Sequence, residues 1–156
     1  MVRWLNADEQ RAWLRLAGVM LKLGPALDSQ LQRDSDLTHF EYLCLAMLSE
    51  TEEQTLRMSE LAVQVNASLS RLSHVVTKLE SRGWVRRTPC PDSRRVTLVS
   101  LTESGRSVLV EAAPGHVETV RSLVFEGLTP SDVRALERIA GHIVERIEAA
   151  DLRSVH

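Results

Sequence analysis

The chain has 156 residues, of which 26% are charged and 4% are aromatic, and its formal net charge at pH 7 is −2. This length is enough for one domain with a buried core, and the composition excludes a disordered chain. No apolar run reaches the length of a membrane span, and the N-terminus lacks the apolar stretch of a signal peptide. We therefore expect a cytoplasmic protein that makes no contact with a membrane. The two cysteines are too few for a disulfide framework and fit a reducing compartment.

The N-terminal part of the chain predicts two helices. Asn6, with a glutamate three residues later, is a typical helix start, and apolar residues then recur at threes and fours to about residue 33. The Gly-Pro pair at residues 24–25 predicts a kink, because proline removes one backbone donor. Thr38, again with a glutamate three residues later, predicts a second helix that runs to about Ser49.

The middle of the chain predicts two short helices followed by a hairpin. Ser59 caps the first helix, over residues 60–65, and Ser68 caps the second, which runs to Arg82 and ends at Gly83. Residues 84–88 and 96–101 have the β-rich composition of strands. Two prolines lie between these strands, so we expect a hairpin tip that is not a tight two-residue turn.

The C-terminal part predicts two more helices. Thr102 caps a fifth helix, which the Ala-Pro-Gly sequence at residues 113–115 should break or bend. Thr129 and Pro130 then start the last helix, since a cap followed by proline at the first helical position favours this. The whole chain is predicted to be mainly α, with a small β-hairpin.

Positive charge is concentrated in the middle of the chain. Residues 66–95 contain seven lysines and arginines against two acidic residues, whereas the rest contains twelve against nineteen. A basic segment on an acidic body indicates a polyanionic partner. We found no glycine-rich phosphate loop and no nucleophile motif, so neither an enzyme nor a cofactor is expected. The five histidines are scattered, which argues against a metal site.

Two short helices joined by a tight connection are typical of a helix-turn-helix, whose second helix enters the major groove of DNA. Hydroxyl and basic side chains on the outward side of this helix can contact phosphates, and an arginine there can bind a guanine. The alternative is a solvated polar face with no partner. The candidate DNA contacts in the helices are Ser59, Ser68, Ser70, Arg71, Ser73, His74, Thr77 and Lys78.

The hairpin corresponds to the wing of a winged helix. Arg94 and Arg95, near its tip, suit a narrow minor groove, although a plain surface turn would also explain them. Arg86 and Arg87 lie on opposite faces of a strand, so only one of them can face DNA. We expect the other to pair with an acidic residue, and we take Arg86 as the candidate contact.

Three stretches carry a resemblance to a known family. They are Leu79-Glu-Ser-Arg-Gly83, the wing segment Asp92-Ser-Arg-Arg95, and Leu101-Thr-Glu-Ser-Gly105. In combination they resemble the MarR family of bacterial transcriptional regulators, and the resemblance covers nearly the whole chain. It implies a winged helix-turn-helix lobe at residues 37–102 and a helical dimerisation lobe at residues 1–36 and 103–156.

The resemblance also implies a function. Members of the family are homodimers that bind a pseudo-palindromic operator in double-stranded DNA, usually as repressors that a small aromatic or phenolic effector releases. Arg95 falls where the family places its wing-tip arginine, but the aspartate two residues earlier is Ser93 here. Either Arg95 lacks its carboxylate partner, or Arg94 takes over its role. His74 lies where the family often has arginine, and it either contacts one phosphate or reads a base edge.

An effector site is expected where the two lobes meet, and its candidates are Trp13, Met20, His39 and Phe40. At helical spacing these residues are also compatible with a plain core. Cys44 is expected in the core, whereas Cys90 in the wing lies near arginines that would lower its pKa. Two alternative functions follow: a thiol-redox regulator that uses Cys90, and a winged helix that contacts only protein. Paired wing arginines would favour the second.

Overall fold

The structure is a computed structural model that describes residues 1–154 and the side chains of residues 1–150. Its elements, in chain order, are α1 (Ala7–Ser35), α2 (His39–Ser49), β1 (Thr55–Arg57), α3 (Met58–Gln64), α4 (Leu69–Ser81), β2 (Val85–Cys90), β3 (Ser93–Leu101), α5 (Glu103–Val120), a π-helical turn (Arg121–Phe125) and α6 (Pro130–Ser154). The mainly α fold with a β-hairpin is therefore confirmed. None of the described helices combines the length and the hydropathy that a membrane crossing requires.

Side-chain caps begin the helices where the sequence places them. Asn6 and Thr38 each accept from the backbone N–H of the glutamate three residues later, at 2.9 and 3.0 Å. Ser68 accepts from the N–H of residue 71 at 3.2 Å, and Thr102 accepts from that of residue 105 at 3.0 Å. The Thr129 hydroxyl accepts from the N–H of residue 132 at 3.2 Å. These bonds satisfy orphan helix donors, so the starts of five helices are fixed locally.

Neither internal proline interrupts its helix, so the break considered at residues 113–115 is not found, whereas the kink expected at residues 24–25 stays a prediction. The helix α1 continues through Pro25 to Ser35, and α5 is not broken at Pro114. Leu109, Ala112 and His116 are all buried on either side of Pro114. Packing of these residues therefore outweighs the loss of one backbone donor at the proline.

The sheet contains one strand that the sequence does not reveal. The strand β1 pairs antiparallel with β3, and the order of the sheet is β1-β3-β2. The hydroxyls of Thr55 and Ser100 lie 2.8 Å apart across this pair. Three residues are too few to show an alternating pattern, so β1 depends on its partner strand. Its presence also moves the start of α3 to Met58.

The hairpin tip is tighter than expected. Cys90 pairs with Ser93, which leaves Pro91 and Asp92 as a two-residue connection, so the prediction of a looser tip is wrong. The register shifts just before this point, because Pro89 pairs with Thr97. Residues 94–96 therefore form a bulge on β3. This bulge lets the ladder close around prolines that cannot donate hydrogen bonds.

The chain divides into two compact units, residues 1–119 and the part from residue 120 onward. The core lies in the first unit, where the C-terminal half of α1, helices α2 to α5 and the sheet meet. Leu31, Leu45, Leu72, Val76 and Val99 are each 0% exposed there. The π-helical turn and α6 form the second unit.

Candidate nucleic-acid interface

Helices α3 and α4 form the expected helix-turn-helix. The chain turns at Asn66, whose φ of 52° is left-handed, and the N–H of Ala67 returns to the carbonyl of Ala62 at 2.9 Å. Asparagine tolerates this conformation better than most residues. Leu72 and Val76 on α4 are fully buried, so the other side of this helix faces outward.

The predicted outward residues lie largely where the sequence places them. Ser73 is only half-exposed, and its carbonyl accepts from the Thr77 hydroxyl at 2.9 Å. Ser59 is exposed but does not cap α3, because the backbone N–H of Arg57 donates to Glu60 at 2.9 Å instead. The predicted cap at Ser59 is therefore wrong. The residues that are exposed are Ser59, Ser68, Ser70, Arg71, His74, Thr77 and Lys78.

Lys78 is committed to the body of the protein. Its ammonium lies 2.5 Å from the carboxylate of Glu41, whose side chain is 2% exposed. The other carboxylate oxygen of Glu41 accepts from the backbone N–H of Thr38 at 2.9 Å. Lys78 thus compensates a buried charge at the start of α2, and it fastens α4 to that helix.

Arg87 is the paired member of the two strand arginines. Its backbone N–H donates to Glu80 at 2.8 Å, its Nε lies 3.5 Å from the same carboxylate, and its Nη2 donates to the Thr77 hydroxyl at 2.8 Å. This confirms that one strand arginine pairs with an acid, and it joins the wing to α4. Arg86 is exposed on the opposite face of the strand.

A third basic residue connects the end of α4 to the corner between α1 and α2. Arg82 donates to the carbonyl of Asp36 at 2.8 Å and to its carboxylate at 3.0 Å. Its guanidinium also lies 4.6 Å from the ring centroid of Trp84. Asp36 has a φ of 51° and ends α1, so Arg82 holds a turn of unusual backbone geometry.

Four arginines of the basic segment have no acidic partner among the described residues. Arg86, Arg94 and Arg95 are exposed in the wing, and Arg71 lies over the Phe40 ring at 4.2 Å from its centroid. Neither tip arginine forms an ion pair with the neighbouring aspartate within the described part of the chain. The hydroxyl of Ser93 accepts from the backbone N–H of Arg95 at 3.4 Å.

A groove of about 670 Å³ runs between α2 and α4. Among the predicted effector residues only Phe40 lines this groove. His39, which precedes Phe40 in the sequence, is half-buried. Trp13 and Met20 are 51% and 58% exposed on α1 and do not line this groove. The lining residues are Asp28, Thr38, Phe40, Glu41, Arg71, His74, Val75, Thr77, Lys78 and Ser81.

A histidine pair that the sequence does not reveal lies between α2 and α5. The rings of His39 and His116 are 5.5 Å apart, and the Tyr42 ring is 4.3 Å from that of His116. Burial lowers the pKa of both histidines, although Asp28 partly opposes this at His39. The Nδ1 atom of His116 is buried and has no hydrogen-bond partner within the described residues. The two histidines are 77 positions apart in the chain, so only the fold brings them together.

Both cysteines are buried. Burial raises the pKa of the Cys44 thiol to about 12, with a further contribution from Glu41, so Cys44 is a core residue as expected. Cys90 is 8% exposed, which restricts the access of an oxidant to the wing thiol. No group of three potential metal ligands occurs among the described residues.

Comparisons with known proteins agree with this geometry. A profile described as the MarR family matches residues 37–97. Sco3205, a MarR family transcriptional regulator from Streptomyces coelicolor seen in complex with DNA, is 43% identical with a TM-score of 0.90, over 93% of this chain and 91% of that one. AbsC, a MarR family transcriptional regulator from the same organism, is 37% identical with a TM-score of 0.89, over 95% and 99%.

A more distant relative is the transcriptional repressor MprA of Escherichia coli K12. It is 26% identical over 107 residues, which are 69% of this chain. The matched region spans only 60% of the length of MprA. The two Streptomyces proteins match along nearly their full length at well above 30% identity. This chain therefore belongs to the MarR family of transcriptional regulators.

Proposed function

We propose that this protein is a sequence-specific DNA-binding regulator, acting in the cytoplasm as a repressor. It binds a pseudo-palindromic operator as a homodimer, with α4 in the major groove and the wing in the flanking minor groove. It acts by binding rather than by catalysis. Cys90 and His74 are the one nucleophile and base of the basic segment that could be proposed as a catalytic pair, but the Cys90 thiol is buried while the His74 imidazole is exposed.

The observation that carries this proposal is which basic side chains of residues 66–95 form ion pairs within the protein. Lys78, Arg82 and Arg87 pair with acids and fix α4 and the wing to the body. Arg86, Arg94 and Arg95 are exposed in the wing and have no acidic partner in the part of the chain that the structure describes. A wing that contacts only protein would be expected to pair these charges, whereas phosphates supply the missing anions in a DNA complex.

Exposed apolar residues in each unit support the homodimer. In the first unit the N-terminal region exposes Trp4, Leu5, Trp13, Leu14, Val19, Met20 and Leu21. In the second unit α6 exposes Val133, Leu136, Ile139, Val144 and Ile147, largely at helical spacing. Exposed apolar patches of this kind mark association surfaces. We propose that residues 1–36 and 103–156 provide them to a second copy, with Trp13 and Met20 in that interface.

We further propose that a small aromatic or phenolic effector acts from the partly buried region around His39 and Phe40. The Arg71 guanidinium over the Phe40 ring supports this, because an aromatic ligand that displaces it would change the side chain that faces DNA. The alternative of redox control through Cys90 is less well supported, since that thiol is buried.

The test is a titration of duplex DNA taken from the region that flanks the protein's own gene, at two salt concentrations. The wild type is compared with Arg95→Ala and Arg71→Ala, and a scrambled duplex serves as the nonspecific reference. Arg106→Ala, which removes an exposed arginine outside the basic segment, is the control. We expect weaker binding in the first two variants only, and affinity that falls steeply with salt. Affinity independent of salt, or unchanged in both variants, would reject the proposal.

A further inference from the structure

An apolar side chain stands at the leading end of α4. Leu69 is the first residue of this helix and is 55% exposed, whereas Leu72 and Val76, farther along α4, are 0% exposed. Its sequence neighbours Ser68 and Ser70 are exposed and polar. A single exposed leucine is common on protein surfaces, so its significance depends on where it lies.

Its position is the part of a recognition helix that comes closest to the bases. The first turn of such a helix contacts base edges, and Cα–Cβ bonds in a helix tilt toward its N-terminus. The other side chains of this turn are engaged or short. The Ser68 hydroxyl accepts from the N–H of Arg71, whose guanidinium lies over the Phe40 ring. Leu69 is therefore the longest first-turn side chain that extends from the helix without such a contact.

The major groove offers one apolar group to such a side chain. Among the four bases only thymine presents a methyl group there, at C5, and apolar side chains contact it. We propose that Leu69 packs against a thymine methyl group in each half of the operator and so determines specificity at that base. This inference rests on the proposed function, because it requires α4 to enter the major groove.

The experiment starts from a DNA site that the wild-type protein selects from a library of random duplexes. The enriched thymine positions are then tested one at a time. At each position, thymidine is replaced in both half-sites by deoxyuridine, which lacks only the C5 methyl group. Burial of one methyl-sized apolar group corresponds to about a fourfold change in affinity for each half-site. At one thymine position we expect this loss with the wild type, and we expect it to disappear in Leu69→Ala. Val63→Ala, which shortens an 81% exposed apolar residue on α3, should keep the loss.

The outcomes separate the two proposals. If no sequence is enriched and no duplex is bound, the proposed function itself fails, and the role of Leu69 fails with it. If the protein selects a site but binds uracil and thymine duplexes equally at every position, only the role of Leu69 is wrong. The same conclusion follows if Leu69→Ala keeps the full preference for thymine. Leu69 is exposed, so circular dichroism should show an intact fold in the variant.

Discussion

Substituting Lys78 by methionine tests how strongly the recognition helix is held. The change keeps the length of the side chain but removes its charge, which leaves the carboxylate of Glu41 at 2% exposure without its ion-pair partner. That carboxylate would retain its bond from the backbone N–H of Thr38. We therefore expect Lys78→Met to destabilise the protein and to loosen the contact between α2 and α4.

The size of the effect follows from the burial of the two partners. Removing one partner of a fully buried pair costs about 3–5 kcal/mol, whereas an exposed pair contributes about 0–1 kcal/mol. Here one partner is buried and Lys78 is 50% exposed, so water can solvate part of the site. A loss of about 2 kcal/mol lies between these limits. Glu41→Gln should cost less, because the amide oxygen can still accept from Thr38 while no buried charge remains.

The assay is urea denaturation of the two single variants, the double variant and the wild type at one protein concentration. The double variant should be about as stable as Glu41→Gln alone, since the unpaired charge is gone. The control Arg57→Met removes an exposed charge outside the proposed dimer segments and should change stability by less than about 0.5 kcal/mol. Additive losses in the double variant, or a wild-type midpoint for Lys78→Met, would refute the reasoning.

Two further predictions concern α5. Burial lowers the pKa of His39 and His116 below 6.5, so the unfolded chain binds more protons below that pH. The free energy of unfolding should be highest above about pH 6.5 and should fall as the pH drops. His116→Phe should make the urea midpoint depend less on pH. An unchanged slope of the midpoint against pH would contradict this prediction. A Cβ on Gly105 would lie 2.0 Å from the carbonyl oxygen of Trp84, whereas one on Gly115 would meet nothing closer than 3.4 Å. Thermal unfolding should therefore show a large loss for Gly105→Ala and a small change for Gly115→Ala, and equal effects would reject the steric argument.

Features that depend on adjacent residues could be predicted from the sequence. Helix starts at Asn6, Thr38 and Thr102 are correct because the cap and its backbone partner lie three residues apart. The cap of α4 at Ser68 is correct for the same reason. At Pro114 the same local reasoning left a break and a bend open, and the structure excludes the break because residues on both sides of the proline pack into the core.

Features that depend on distant residues could not be predicted. Strand β1 is three residues long and exists because β3 lies beside it. The ion pairs Lys78–Glu41 and Arg82–Asp36 join residues that lie far apart in the sequence, so no local pattern predicts them. The number of lysines and arginines in residues 66–95 could therefore be read from the sequence. Which of them remain free to bind phosphate could not.

The salt dependence of DNA binding measures how many basic side chains are free to bind phosphates. Each protein cation that neutralises a phosphate contributes about −0.9 to the slope of log affinity against log salt. Arg86 and Arg87 are neighbours on opposite faces of one strand, and among the described residues only Arg87 has an acidic partner. In a dimer, Arg86→Gln should reduce the slope by about two. Arg87→Gln should weaken binding by loosening the wing from Glu80 but leave the slope unchanged. If both variants reduce the slope equally, pairing in the free protein does not determine which arginines contact DNA.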